Sequence, residues 1–120
     1  MKLIMVLCVS AWGFVLQGNA QSKPFTAPSD TIKVVVNNDN MRVTEYISTP
    51  GKDVCGKGKH AHPAHLTILL SDLSVQLTTA EGEVKNLDVP SGLTFWSEKE
   101  THMVLNKGAK GTRVLLVEVK

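Results

Sequence analysis

Lys59-His60-Ala61-His62-Pro63-Ala64-His65 carries three of the four histidines of this chain and runs directly into Leu66-Thr67-Ile68-Leu69-Leu70. On an extended backbone, side chains repeat every second residue, so His60 and His62 share one face. The fourth histidine, His102, lies in a second strand-like segment, Thr101 to Leu105, followed by Asn106. Two imidazoles from one strand and a third from a distant one are sufficient to build a divalent-metal site. The fold therefore has to be one that brings two remote strands together.

Outward from this stretch the chain reads as a succession of short strands. Ile32, Val34 and Val36 alternate with Lys33, Val35 and Asn37 and give a strand with one apolar face. Asn37-Asn38-Asp39-Asn40 has turn chemistry. Met41 to Thr49 is a second strand, stopped by Pro50-Gly51 and followed by a loop rich in Gly and Lys up to Lys59. Leu66, Ile68 and Leu70 face one way, and Leu73, Val75 and Leu77 repeat the alternation as far as the hairpin connection Ala80-Glu81-Gly82-Glu83. Val84 to Val89, Leu93 to Trp96, Thr101 to Leu105 and Thr112 to Val119 complete the series, separated by Gly, Pro and Asn breakers. No segment sustains a helical apolar period. About eight short strands at near-regular spacing predict an all-β sandwich or barrel.

The N-terminus has a different character. Lys2 precedes the apolar stretch Leu3 to Leu16, and Gly18-Asn19-Ala20 supplies small residues at a cleavage position. Residues 1–20 are expected to be a signal peptide cut after Ala20, 21–30 a flexible arm, and 31–120 the β domain. The expected protein is exported, periplasmic or secreted, with no integral membrane segment after cleavage. Removing Lys2 takes the formal charge from +2 to +1, too small an excess to argue for nucleic acid. Cys8 leaves with the leader, so Cys55 is the only remaining thiol and no internal disulfide can form.

These motifs resemble the cupins, small jelly-roll barrels with a site in the interior. His60-Ala61-His62 is similar to the H-x-H of the first cupin motif. Pro90-Ser91-Gly92 is similar to the P-x-G turn of the second, and His102 with Asn106 to its histidine and asparagine. H-x-H-P-x-H-L, with the late H-x-x-x-N, resembles a subgroup of small single-domain cupins. Two departures are evident. The family glutamate would fall at Leu66 or Thr67, neither a carboxylate, and His102 follows Gly92 at a longer interval than the family pattern.

The resemblance implies a single-domain cupin jelly-roll β-barrel that holds a divalent metal (Zn, Fe, Mn, Ni or Cu) on His60, His62 and His102. It does not name a substrate or a catalytic residue. A metal-dependent enzyme and a non-catalytic small-ligand binder without metal both remain open. His65 is the candidate fourth ligand; by parity it points away from His62 unless Pro63 introduces a bulge. Glu45 is a further carboxylate candidate. Trp96, Phe95, Tyr46 and Cys55 are expected at a ligand pocket, with Cys55 either a buried hydrophobe or a thiolate activated by its Lys and His neighbours. Asn106 is expected to orient a histidine or to satisfy backbone. Expected partners are a small-molecule ligand or substrate and a second copy of the chain, a homodimer that would cover the apolar strand Thr31 to Asn37.

Overall fold

The computed structural model describes residues 25–120 apart from residue 28. The expected signal peptide and the first part of the arm lie outside the described residues. The rest is all β. β1 (Thr31–Asn37), β2 (Met41–Ser48), β9 (Thr112–Val119), β4 (His65–Leu69) and β7 (Thr94–Ser97) form a five-stranded sheet in that order. β3 (His60–His62), β8 (Glu100–Asn106), β5 (Leu73–Thr79) and β6 (Val84–Val89) form a four-stranded sheet, again in that order. The two ladders remain separate, so the barrel is a pair of sheets packed face to face, not a closed ring.

Local chemistry explains the turns. Asn38 Oδ1 accepts from the backbone N–H of Asn40 and of Met41, closing the β1–β2 connection with a side chain. Gly82 sits at φ +90° in the β5–β6 hairpin, a conformation that glycine adopts without a Cβ penalty. Thr79 then receives Gly82 N–H and donates to Glu83 O.

Between the sheets, Leu69, Val114 and Leu116 from the five-stranded side meet Val75 and Val104 from the four-stranded side. Removing a side chain such as Leu69 or Val114 from water stabilises by roughly 1.5–3 kcal/mol each. At one end the interior turns polar: Ser48 and Thr112, both fully buried, share a 2.9 Å hydroxyl–hydroxyl hydrogen bond.

One expectation changes. It concerns His60 to Leu70, where the chain makes two strands. β3 pairs with β8 in one sheet, and after Pro63-Ala64 the chain enters the other sheet as β4, pairing with β7 and β9. Nine strands result among the described residues. β1 is the outer edge of the five-stranded sheet, and all seven of its residues are exposed.

Candidate metal centre

β3 lies antiparallel to β8 with His60 opposite His102 and His62 opposite Glu100. Period-two alternation then turns His60, His62, His102 and Glu100 to the same side of this ladder. The loop before β3 follows the same strand. Gly51 N donates to Asn106 O, Asn106 N to Lys52 O, and Val54 N to Val104 O, with Asp53 bridged to Leu105. This laces residues 51–54 along β8 and delivers Cys55 to the histidines.

One donor atom from each of Cys55, His60, His62 and His102 lies within 4.8 Å of all the others. Cys55 Sγ is 3.6 Å from His60 Nε2 and 3.5 Å from His102 Nε2. The three rings stand edge-on to one another, with centroids 4.6 Å apart for His60–His62, 4.9 Å for His60–His102 and 5.2 Å for His62–His102.

The far side of two rings is held in a way that fixes the tautomer. His60 Nδ1–H donates to Gly58 O at 2.8 Å, and His102 Nδ1–H donates to Glu100 Oε1 at 2.8 Å. Both therefore present an Nε2 lone pair to Cys55. A single thiol proton serves only one of those acceptors. His62 Nε2, buried, has no hydrogen-bond partner among the described residues. An unmet buried polar atom costs about 1–3 kcal/mol. A divalent cation removes the mismatch by accepting from all four atoms, and the donor set suits one. Tetrahedral zinc with N at about 2.0 Å and S at about 2.3 Å requires N–S separations of about 3.6 Å, close to the two observed.

Electrostatics favour the uncharged forms of His62, His102 and Cys55. Burial, reinforced by the imidazoles of His60, His102 and His65, pushes His62 down to about 4, against a backbone hydrogen bond with Cys55. Burial also lowers His102, although the Glu100 carboxylate pulls it upward. Burial pushes the Cys55 thiol up to about 12, with the Glu100 and Asp53 carboxylates adding to the effect. Of the two readings of Cys55, buried hydrophobe or activated thiolate, its surroundings in the metal-free chain favour the first: burial and then the Glu100 and Asp53 carboxylates, not Lys57 or Lys59, dominate its environment.

His65 faces the interior without any bulge. The parity argument fails because residues 62 and 65 belong to different sheets. Its ring is 5.2 Å from that of His62, yet its donor atoms stay outside the four-atom cluster, and Cys55 takes the place for which His65 was a candidate. Asn106 does not touch a histidine. It is buried at the end of β8, where Nδ2 donates to Lys110 O and Oδ1 accepts from Gly108 N–H, so it shapes the β8–β9 turn. Glu45 is spent on Arg113, with Nη2–Oε2 2.6 Å and Nε–Oε2 2.7 Å.

An interior cavity of about 120 Å³ adjoins the cluster, with Cys55, His102, His65 and Glu100 at its polar end and Phe95 in its wall. Trp96 does not line it; the ring lies on the opposite face of β7, half exposed, with Nε1–H donating to Glu98. Tyr46 also stays out of the cavity. It packs against the core and stands edge-on to His62 at 6.5 Å, and burial raises its phenol above the ordinary value. Glu100 and Gly58 were missed from sequence. For Glu100 a signal was present: it precedes His102 by two residues, the same-face spacing of a strand.

No protein-family model and no curated protein matches the chain. Solved structures do. The chain is similar to a cupin domain from Bordetella pertussis Tohama I, with TM-score 0.68 and 22% identity over 80% of this chain and 98% of that one. It is also similar to an RmlC-like cupin with a double-stranded β-helix fold from Methanocaldococcus jannaschii, with TM-score 0.63 and 13% identity over 87% and 92% of the two chains. A polyketide cyclase from Streptomyces resistomycificus matches with TM-score 0.58 and 20% identity over 82% of this chain and 69% of that one. The chain has the cupin fold.

Proposed function

We propose that this protein is an exported small cupin that binds one divalent metal ion through His60, His62, His102 and Cys55. The observation that carries the reading is the buried, unpartnered His62 Nε2 beside two oriented Nε2 lone pairs and a thiol. One thiolate and three imidazoles favour Zn, Fe, Cu or Ni over harder ions. When bound, such an ion supplies Lewis-acid chemistry next to the cavity. The chain's own contribution is to hold the donors: Gly58 O and Glu100 orient two imidazoles, and burial keeps His62 uncharged.

The ligand in this reading is a small molecule, in keeping with a polyketide cyclase of the same fold, and the cavity beside the cluster gives it room. Export rests on the apolar stretch Leu3 to Leu16 and the small residues before Gln21. A homodimer is supported by the outer face of the five-stranded sheet, where register groups Ile47, Leu66, Ile68, Leu115, Val117 and Trp96 on one side.

Elemental analysis of protein purified without added metal tests the reading. The expected result is close to one ion per chain, abolished by His62→Ala and by His102→Ala. A correctly folded wild-type protein that stays metal-free even after equilibration with zinc overturns it.

A further inference from the structure

The cavity beside the cluster is chemically one-sided. Most of its wall is hydrocarbon, from residues such as Leu73, Val75 and Leu87, and no lysine or arginine among the described residues lines it. Its polar groups gather at the end where β4 faces β7, with His65 opposite Ser97 in register and Glu100 nearby. A volume of about 120 Å³ is near that of a dry, engineered cavity of about 150 Å³ known to take benzene.

His65 gives this end its polarity. It is almost completely buried, and Nδ1–H donates to Pro63 O at 2.7 Å. That bond leaves Nε2 as the lone-pair nitrogen. His65 thus offers one acceptor in a compartment that otherwise rewards apolar contact. In the metal-free protein an anionic ligand would meet the Glu100 carboxylate and no compensating cation from the described lining residues. Leu87 on β6 and Phe95 on β7, the edge strands of the two sheets, both line the cavity and are 40% and 42% exposed, which places its opening between these edges.

We propose that this cavity takes an uncharged hydroxyl-bearing ring compound, of the phenol class, that enters between β6 and β7 and donates its hydroxyl hydrogen to His65 Nε2. The ring displaces little or no ordered water and packs beside Phe95 in the offset or edge-on manner aromatic pairs prefer. The acidic hydroxyl is a strong donor to an imidazole acceptor, and the ligand's polar end comes to rest beside Cys55 and His102. This deepens the metal-site reading, on which it rests only for what the bound molecule would meet next.

The test titrates phenol, benzene and benzoate into the full chain, with and without zinc, and follows the ring signals of His65 and the methyl signals of Leu73 and Leu87 by NMR. Phenol is expected to saturate one site and to bind about tenfold more tightly than benzene through the added hydrogen bond, while the metal-free cavity excludes benzoate. His65→Leu is expected to erase the preference for phenol while benzene still binds. Leu87→Trp, at an exposed and structurally tolerant position, is expected to weaken both. Equal binding of benzoate and phenol by the metal-free protein, an unchanged preference in His65→Leu, or no perturbation of the cavity by phenol overturns the proposal. Zinc binding without phenol binding rejects this inference and leaves the metal centre standing; phenol binding without zinc binding does the reverse.

Discussion

Cys55 and His62 are the residues on which the chemistry turns, and each yields a pH prediction. The Cys55 thiol, pushed up to about 12 by burial and neighbouring carboxylates, must lose its proton to ligate. Metal uptake is therefore expected to release a proton, and affinity to rise about tenfold per pH unit near neutrality for each proton displaced. Calorimetry in buffers of different ionisation enthalpy measures this, and Cys55→Ala is expected to reduce the release. His62 works in the opposite range. Its folded value of about 4 lies below the ordinary 6.5, so the unfolded chain takes up more protons between these values. Stability of the metal-free protein is expected to be unaffected by this group above pH 6.5 and to fall as pH drops from there toward 4. Thermal melts of wild type and His62→Phe check it, the variant showing the shallower loss.

At the scale of elements, the loop 51–59 and strands β3 and β8 act as one unit. Gly56 has φ +135°, and a Cβ there would approach the His60 ring to 3.1 Å. Gly56→Ala is therefore expected to displace His60 and weaken metal binding at least about tenfold, through strain at φ > 0 and contact with a ligand. By contrast, Asn106→Ala is expected to destabilise by about 1–3 kcal/mol in urea denaturation, because Lys110 O and Gly108 N–H lose their partner, with metal stoichiometry unchanged. Legibility in the sequence follows the same division. His60, His62 and His102 were readable because alternation along a strand is local and the second strand carried its own histidine. Cys55 was not readable as a ligand, since its position depends on long-range pairing of residues 51–54 with β8. His65 was misread because a change of sheet resets the alternation, and no period within one strand announces that change. β1 read correctly as a strand, but whether its apolar residues face a core or solvent depends on its place at the sheet edge.

For the whole molecule, metal and fold are linked. An ion bound by the folded chain alone stabilises it by about 2.7 kcal/mol at a hundredfold excess over Kd. Zinc is therefore expected to raise Tm, and the His102→Ala variant to lose that response. The outer face of the five-stranded sheet carries a second expectation, a dimer in light scattering that Leu115→Lys converts to monomer. X-ray absorption of the zinc-loaded protein tests the four-donor centre most directly. One sulfur at about 2.3 Å and three nitrogens at about 2.0 Å are expected. A shell of nitrogen and oxygen without sulfur would contradict the assignment of Cys55 and, with it, the centre described here.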